Sequence, residues 1–437
     1  MIYDIKSPIL VQLEVTYDCN KNCVHCYNYW RTNNYIIKNK SFINKELMGK
    51  IIDDIIDAEA FHVVITGGEP LLVFDEIYPY LEKLKNNNIS ISLNSNLMIM
   101  NKKIAERLKL LNINHVLVSL PASNEDLDIK ITNSKNSFSK TKKGIQIAVA
   151  NGISVTANMV VTKKNYDDIY DTAKLAKKLG AKKFSINRAM KPENCNNFDD
   201  YILPINQFIN LPYIMKKIKD EIGIEVLSVE ANPLCFIDDY RLISEVGFNK
   251  VCSAGKYFCA IDSSYNIRPC ILISEKYDGT IKEAWKKMIN YRNGAMIPDD
   301  CKDCEKRNIC AGGCKSERKQ ICNDINHPDP FANLKNKLKF KNSIEKENSI
   351  NIYETSKFKF DKRIRFRDEA FGGIVLFSIK DFVAVDKSVY TFIKENLNVT
   401  FDINYISSNL NFSKEDIEKL LKYLIHKKII HINNAND

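Results

Sequence analysis

Three cysteine thiols lie within eight residues near the start of the chain, where Cys19, Cys23 and Cys26 stand in the stretch VTYDCNKNCVHC. A structural zinc site uses four protein ligands, and disulfides use cysteines in pairs. Three thiolates on one loop can hold three irons of a 4Fe–4S cluster and leave the fourth iron open to an exogenous ligand. The alternative is a zinc site completed by His25 or by a distant group. The number of thiols favours the cluster with an open iron.

A second set of cysteines is concentrated between residues 223 and 330, where the alternation of strand-like and helix-like segments is lost. Its members are Cys235, Cys252, Cys259, Cys270, Cys301, Cys304, Cys310, Cys314 and Cys322. Loops held by metal, rather than by a large apolar core, would have this composition. Cys-x2-Cys pairs are also common in zinc knuckles, which is the alternative. Cys195 lies outside both sets and is predicted to be structural.

The composition limits the classes of function. The chain has 437 residues, enough for two or three domains, and contents of 45% apolar and 27% charged residues are typical of a globular protein. It opens with no charged-then-apolar leader and contains no apolar run long enough to cross a bilayer, which predicts a cytoplasmic protein without a membrane partner. That compartment keeps the 13 cysteines reduced and available to metals. The net charge of +10 is spread along the chain, which disfavours a nucleic-acid partner.

Strand-like and helix-like segments alternate from residue 9 to about 190, and these elements must position the N-terminal cysteines. Apolar runs such as ILVQLEVT and FHVVIT are separated by amphipathic stretches such as NKELMGKIIDDIIDAE. About six such units predict an α/β fold with a parallel sheet. A complete eight-unit barrel takes about 250 residues, so a partial (β/α)6 barrel is expected. The triple-cysteine loop follows the first strand and TGGEP follows the second, and both therefore fall at the strand ends where such folds carry their chemistry.

The residues from Phe358 onward predict a small α+β domain. Strand-like segments KFKF, GGIVLFSI and FVAV precede helix-like segments SVYTFIKEN, DINYISSNL and SKEDIEKLLKYLIHKK, and a short strand IIHI follows. Ser413 with Asp416 predicts a capping box at the last helix. Three helices with a β-wing are typical of a winged helix-turn-helix.

The segments CNKNCVHC and TGGEP resemble the signature motifs of the radical S-adenosylmethionine (radical SAM) superfamily, with His25 at a position that is usually aromatic. In that superfamily the methionine amine and carboxylate of SAM chelate the open iron. The resemblance implies that the three N-terminal cysteines bind the catalytic cluster. It also implies that Gly67, Gly68 and Glu69 face the methionine amino group. Glycine suits this task because a backbone without Cβ lets a ligand approach closely.

Weaker matches follow at the ends of later strands, in the order that the superfamily shows. LNSNLMI resembles a Thr-Asn-Gly strand end, with Leu97 in place of Gly, and VSLPAS has Pro121 where Asp is common. TANMVVTKKN lies on the fifth predicted strand, and INRAM lies on the sixth. Similar proteins pair an Arg on the sixth strand with the cofactor carboxylate. The cofactor-binding residues implied by these matches are Ser95, Asn96, Ser119, Asn158 and Arg188. Each could instead be an ordinary strand-end cap.

The spacing Cys-x2-Cys-x5-Cys-x3-Cys from residue 301, with one further Cys beyond, resembles the core of a SPASM domain, which binds two auxiliary 4Fe–4S clusters. In the upstream half Tyr265 takes the position of a family Gly. The family's interleaved ligation implies a first auxiliary cluster on Cys252, Cys270 and Cys314. It implies a second auxiliary cluster on Cys301, Cys304, Cys310 and Cys322. The fourth ligand of the first cluster is left open between Cys259, Cys235 and a substrate thiol.

Residues 353–437 resemble the winged-helix element that captures leader peptides in pathways of ribosomally made, post-translationally modified peptides, and RFRDEAFGGIVLF is the most similar stretch. That element adds the leader as a strand to its sheet edge. The competing interpretation, a DNA-binding helix-turn-helix, needs excess positive charge. These residues hold 14 Lys and Arg against 12 Asp and Glu, a net charge of +2, which favours the peptide.

Together the resemblances imply a radical SAM enzyme with SAM and three 4Fe–4S clusters. It would cleave SAM reductively to a 5′-deoxyadenosyl radical and take hydrogen from a precursor peptide, installing a cross-link such as a thioether or a related modification. The predicted domains are a radical SAM partial barrel at 1–222, a SPASM domain at 223–332, a linker at 333–352 and the winged-helix domain at 353–437. The predicted partners are the precursor peptide, bound through its leader, and a low-potential electron donor such as a flavodoxin or ferredoxin. The alternatives are a maturase of a protein active site or of a cofactor precursor, and a metal-binding winged-helix regulator on DNA.

Overall fold

A computed structural model of the chain describes residues 4–28, 44–193, 195, 197–336, 352–353, 356–378 and 381–433. The chain divides into two units, Ser7–Ser343 and a smaller unit that joins Met1–Lys6 with Ile344–Asp437. The predicted linker at 333–352 lies largely outside the described residues. Among the described helices, none is both long enough and apolar enough to cross a membrane.

The larger unit is built on one sheet of mostly buried strands. Its strands are β1 (Leu10–Glu14), β2 (His62–Thr66), β3 (Ser90–Ser95), β4 (His115–Ser119), β5 (Ser154–Val161), β6 (Lys183–Arg188), β7 (Glu225–Leu227), β8 (Phe258–Asp262) and β9 (Ile267–Arg268). Among the described residues their order is β7-β6-β5-β4-β3-β2-β1-β8-β9. β1 to β7 pair in parallel with their neighbours, which confirms the predicted sheet of strand–helix repeats.

The helices of this unit up to residue 217 connect the parallel strands, and shorter helices lie in the cysteine-rich region. They are α1 (Lys45–Asp57), α2 (Phe74–Asn86), α3 (Lys102–Leu110), α4 (Glu125–Thr132), α5 (Ser137–Ala150), α6 (Ile169–Lys178), α7 (Ile205–Lys217), α8 (Tyr240–Glu245), α9 (Ile281–Lys287), α10 (Arg307–Cys310) and α11 (Lys315–Ile321). Asparagine side chains accept backbone N–H groups in the first turns of α1, α3 and α4. Asn is a favoured cap because its side-chain oxygen satisfies a donor that the helix leaves unpaired.

Residues beyond the six predicted units extend the sheet at both ends. β7 adds to β6, while β8 pairs in parallel with β1, so that Leu10 lies opposite Phe258 and Glu14 opposite Asp262. β9 is antiparallel to β8. A fully buried ion pair between Glu14 and Arg268 joins β1 to β9. The cysteine-rich region therefore shares the sheet of the N-terminal repeats, which the loss of alternation in the sequence did not predict.

Two positions where the sequence lacks a family glycine keep the backbone conformation that favours glycine. Leu97 has φ +55° and Tyr265 has φ +62°. This left-handed region costs an L-residue about 1–2 kcal/mol. Leu97 is fully buried, and the Tyr265 hydroxyl donates to the Asp54 carboxylate at 2.5 Å. Side-chain burial and this hydrogen bond offset the backbone cost, so the turns form without glycine.

The smaller unit has the strands and helices predicted for a winged helix. Its elements are β10 (Lys357–Phe360), β11 (Arg365–Glu369), β12 (Gly372–Leu376), β13 (Phe382–Asp386), α12 (Lys387–Glu395), β14 (Thr400–Phe401), α13 (Ile403–Asn409), α14 (Lys414–His426) and β15 (Ile430–Asn433). The described strands form two sheets, β14-β10-β15 and β11-β12-β13, around an aromatic and aliphatic core. Ser413 caps α14 by accepting the N–H of Asp416 at 3.2 Å, and its hydroxyl donates to the Asp416 carboxylate at 2.6 Å.

Candidate iron–sulfur and cofactor site

The three N-terminal cysteines lie on the loop that leaves β1 at the carboxyl edge of the parallel sheet. Each is partly buried. The N–H of Lys21 donates to the Cys19 thiol at 3.4 Å, and the N–H of Cys26 donates to the carbonyl of Cys23 at 3.1 Å. The loop therefore has its own local hydrogen bonds at the edge where parallel α/β folds bind ligands.

The turn after β2 packs directly against this loop. Gly68 donates its N–H to the carbonyl of Thr16 at 2.7 Å, and Glu69 donates to the carbonyl of Asp18 at 2.7 Å. A Cβ on Gly68 would stand 2.1 Å from the Asp18 oxygen, and one on Gly67 would stand 2.5 Å from the Thr16 oxygen. Both glycines are thus required for the close approach of the two backbones, immediately before Cys19.

The Glu69 carboxylate is buried and joins the ends of two strands. It accepts the Ser95 hydroxyl at 2.6 Å, the N–H of Asn96 at 2.7 Å and the N–H of Leu71 at 3.1 Å. Burial raises the pKa of Glu69, although these hydrogen bonds lower it. Since its oxygens are occupied within the protein, Glu69 acts here as a positioning residue for the turn.

Asn96 connects the Glu69 carboxylate to the cysteine loop by hydrogen bonds. Its Nδ2 donates to Asn20 Oδ1 at 2.6 Å and lies 3.9 Å from the Cys19 Sγ. Thr141 Oγ1 donates to the Asn96 carbonyl at 3.0 Å and accepts from the buried Nζ of Lys21 at 3.2 Å. The structure therefore brings Glu69, Ser95 and Asn96 to the N-terminal cysteines. Lys21 and Thr141 were not predicted, because no strand-end motif marks them.

His25 and Tyr27 flank the last cysteine of the loop. Burial, with the neighbouring Lys21, lowers the pKa of His25 to about 4, so its imidazole is neutral at physiological pH. Its Nδ1 atom makes no hydrogen bond among the described residues. Burial, followed by the Cys26 thiolate, raises the pKa of Tyr27, and Cys270 of the second set raises it further. Tyr27 thus lies between the two sets of cysteines.

Ser119, the last residue of β4, lies opposite Asn158 within β5. The Asn158 side-chain oxygen accepts an amide proton from Asn187 of β6. Asn187 in turn accepts the Ser228 hydroxyl at 3.0 Å and the N–H of Val229 at 2.8 Å. Polar side chains therefore connect β5 and β6 to the residues that follow β7, and of these side chains Asn187 was not predicted.

Arg188 has a partner that the sequence did not predict. Its two terminal guanidinium nitrogens donate to the Asp329 carboxylate at 3.0 Å and 2.7 Å, and both side chains are buried. Asp329 also accepts the N–H of Cys314 at 2.9 Å. A bidentate pair of this kind is geometrically specific. Arg188 therefore ties the end of β6 to the cysteine-rich region, and its contact with the cofactor carboxylate stays a prediction.

Two further carboxylates lie near this ion pair. Burial raises the pKa of Glu230 to about 8 and that of Glu317 to about 7, although Arg188 lowers both. One oxygen of each, Oε2, makes no hydrogen bond among the described residues. A buried carboxyl group whose pKa is close to neutrality can exchange a proton at physiological pH. No motif in the sequence distinguished Glu230 or Glu317.

Among the cysteines predicted for the first auxiliary cluster, Cys252 and Cys314 are buried and Cys270 is partly buried. Burial raises the pKa of Cys270 to about 11 and that of Cys314 well above its usual value, and Cys252 raises both further. The Lys315 ammonium donates to the Cys252 thiol at 3.7 Å. The three residues predicted for the first auxiliary cluster therefore influence one another electrostatically, although the described residues form no group of three side chains already arranged around a single metal ion.

Cys259 lies elsewhere, inside β8 opposite Val11 of β1. It is fully buried, and burial together with the Asp54 carboxylate raises the pKa of its thiol. Its place in the middle of the sheet favours a core role over ligation. The Cys322 thiol lies 3.9 Å from the carbonyl of Pro328.

Comparisons with known proteins agree with this arrangement. Residues 13–176 match the family model of the Radical SAM superfamily. The AdoMet-dependent heme synthase of Methanosarcina barkeri is 21% identical over 355 residues, which cover 76% of this chain and 98% of that protein. Mycofactocin maturase MftC of Mycolicibacterium smegmatis is 22% identical over 338 residues, which cover 75% of this chain and 83% of MftC. The crystal structure of Streptococcus suis SuiB matches with a TM-score of 0.59 at 16% identity, over 75% of this chain and 78% of SuiB, and shares the fold.

Residues 13–176 form a radical SAM domain, and the protein is an enzyme that uses SAM and an iron–sulfur cluster. The donor set of the N-terminal loop fits such a cluster, since three partly buried thiols share one loop. The radical SAM domain gives no support to the alternative of a metal-binding regulator on DNA.

Proposed function

We propose that this enzyme cleaves SAM reductively and modifies a ribosomally made precursor peptide held by its leader. The observation that carries the proposal is the three-cysteine loop, packed by the Gly67–Glu69 turn at the carboxyl ends of the parallel strands. Two related proteins support the choice of substrate. MftC is named a mycofactocin maturase, and SuiB has been crystallised with its precursor peptide SuiA.

When bound, the cluster and SAM supply a 5′-deoxyadenosyl radical that takes hydrogen from an unactivated C–H bond of the substrate. In our proposal Cys19, Cys23 and Cys26 hold that cluster. The Gly67–Gly68 backbone leaves room for the methionine end of SAM, and Glu69 fixes this turn against β3. The remaining predicted contacts, Ser119 and Asn158, lie opposite each other in neighbouring strands.

The cysteine-rich region is proposed to hold auxiliary iron–sulfur clusters. The Lys315 ammonium donates to the Cys252 thiol, and its positive charge lowers the pKa of Cys252 against the effect of burial. A cation next to a thiolate favours the ionised form that binds iron. Auxiliary clusters would accept the electron that remains after bond formation or would bind the substrate directly. The external reductant would be a flavodoxin or a ferredoxin.

The smaller unit is proposed to bind the leader at the edge of β13. In the sheet β11-β12-β13 both outer strands are candidates. The Glu369 carboxylate on β11 already accepts the N–H of Lys6 at 2.8 Å, which places the N-terminal segment beside that strand. β13 alternates buried Val383 and Val385 with the half-buried Ala384. An added strand would gain backbone hydrogen bonds there, and binding would raise the local concentration of the peptide.

Anaerobic reconstitution tests the proposal. Iron and sulfide would be assayed, 5′-deoxyadenosine would be measured with dithionite and SAM, and peptides encoded beside the gene would be supplied with and without their leaders. Three clusters correspond to about twelve irons. Ser in place of Cys19, Cys23 and Cys26 should abolish 5′-deoxyadenosine and the SAM-induced change in the spectrum of the reduced protein. Cys195→Ser is the matched control and should retain both. Retained activity in the triple variant would refute the proposal.

A second candidate, action on a small cofactor precursor, is favoured by the match to 98% of the AdoMet-dependent heme synthase. The two functions differ in their dependence on the leader. Peptide modification should require the leader, and product should appear as a mass change in the peptide. Turnover of a small molecule that no leader accelerates would favour the second candidate.

A further inference from the structure

One cavity of the larger unit is lined by four cysteines from two distant parts of the chain. Cys301, Cys304 and Cys310 belong to the SPASM-like spacing, and Cys235 comes from the loop after β7. The other walls are mainly apolar and are formed by Pro233, Leu234, Lys306, Arg307, Gly312, Ala332 and Leu334. Four thiols around one cavity match the ligand number of a complete 4Fe–4S cluster.

Backbone N–H groups point at the thiols of this cavity. Leu234, Gly312 and Gly313 donate to Cys310, and Asn333 donates to Cys235. Hydrogen bonds to ligand sulfurs are among the features that tune protein-bound iron–sulfur clusters. The donor Leu234 immediately precedes Cys235 in the chain, so the Cys235 loop contacts the Cys310 thiol directly.

Cys235 is fixed in this position by the segment that follows Asp329. Asn336 Nδ2 donates to the Cys235 carbonyl at 3.1 Å, and Ala332 and Leu334 close the cavity beside it. These contacts place Cys235 with the second predicted set of ligands and not with the first.

Cys322 lies at the far end of α11 from Cys314. That helix begins after Cys314 and ends before Cys322, so a rise of about 1.5 Å per residue separates the two cysteines by about 12 Å. Cys322 is not among the residues that line the cavity.

We infer that Cys235, Cys301, Cys304 and Cys310 hold the second auxiliary cluster, and that Cys322 is not a ligand. This inference rests on the proposal that the cysteine-rich region binds auxiliary clusters. It leaves the first auxiliary cluster with Cys252, Cys270 and Cys314, so that one iron there has no cysteine ligand and is available to a substrate thiolate.

The matched variants Cys235→Ser and Cys322→Ser test this assignment in the anaerobic full-length protein. Cys235→Ser should lose about four of about twelve irons, or show an altered cluster spectrum if the serine oxygen ligates. Cys322→Ser should keep the iron, the sulfide and the spectrum of the unmodified protein. The reverse pattern would overturn the inference. Unmodified protein with only about four irons would instead refute auxiliary clusters altogether.

Alkylation gives a readout that does not depend on folding of a variant. Iodoacetamide would be added to the anaerobic holoprotein before and after removal of iron with a chelator, and labelled cysteines would be mapped by mass spectrometry. Cys322 should react in both samples, and Cys235 should react only after iron removal. Labelling of Cys235 in the holoprotein, with protection of Cys322, would overturn the assignment.

Discussion

The Glu69 carboxylate accepts the backbone N–H of Asn96 at 2.7 Å and thereby joins the end of β2 to the end of β3 beside the cysteine loop. Through this bond the glycine turn, the strand end and Asn20 of the loop form one hydrogen-bonded unit. The cofactor site is therefore positioned by residues that follow separate strands. Substitution of Glu69 would remove hydrogen bonds that hold these residues together.

Replacing Glu69 by Gln should lower both stability and activity. The amide cannot accept from Ser95, Asn96 and Leu71 as the carboxylate does, and a buried donor left unpaired costs about 1–3 kcal/mol. Chemical denaturation should show a loss of that size, and formation of 5′-deoxyadenosine should fall at least about tenfold. Glu106→Gln on the exposed face of α3 is the control, with a change within about 0.5 kcal/mol. Equal effects of the two variants would contradict this role.

Replacing Gly68 by Ala should displace the cysteine loop, because the new Cβ would stand 2.1 Å from the Asp18 oxygen. We expect loss of the SAM-induced spectral change and of about four irons per chain. Gly49→Ala is the matched control, since the nearest atom to its Cβ is 4.0 Å away and the helical site gains about 0.5–1 kcal/mol from Ala. A Gly68→Ala protein with full iron and unchanged SAM binding would show that the loop tolerates the displacement.

Substitutions in the Arg188–Asp329 ion pair distinguish a structural role of Arg188 from a role in cofactor binding. The two roles predict different effects on SAM affinity. Asp329→Asn leaves a buried guanidinium without its counter-ion, and the loss of one partner of a buried pair costs about 3–5 kcal/mol. Arg188→Lys also removes the bidentate geometry and should lower the free energy of unfolding. If Arg188 is structural, SAM affinity per folded molecule should stay unchanged in both variants. A selective rise in the Kd for SAM in Arg188→Lys alone would restore the predicted contact with the cofactor.

Glu230 should make the protein less stable as the pH rises. Its pKa is raised to about 8 in the folded state from 4.5, so unfolding releases a proton between these values and alkaline pH favours the unfolded state. Glu230→Gln removes this contribution. The variant should therefore gain stability relative to the unmodified protein from pH 6 to pH 8, by at most about 1.4 kcal/mol per pH unit.

Thermal denaturation at several pH values measures this difference. Gln at the exposed Glu305 is the control and should leave the melting temperature unchanged. A difference between Glu230→Gln and the unmodified protein that does not vary with pH would rule out a raised pKa at Glu230.

The sequence alone predicted the features that depend on residues close together in the chain. The three N-terminal cysteines share one loop, the Gly67–Glu69 turn follows a strand directly, and the strand–helix repeats bring both to one edge of the sheet. The same periodicity predicted the helices and strands of the C-terminal unit. Hydrophobic spacing reports local conformation, so these elements could be read from the residues.

Tertiary structure decided which distant residues meet. Arg188 and Asp329 are 141 positions apart, and the sequence carried no mark of their ion pair. Cys235 lines the same cavity as Cys310 because the loop after β7 folds onto the cysteine-rich region, whereas Cys322 does not line that cavity. Even the turns at Leu97 and Tyr265 form without glycine, since burial and a hydrogen bond to Asp54 offset the backbone cost. Spacing along the chain indicates which ligands are available, and packing in three dimensions determines which of them share a site.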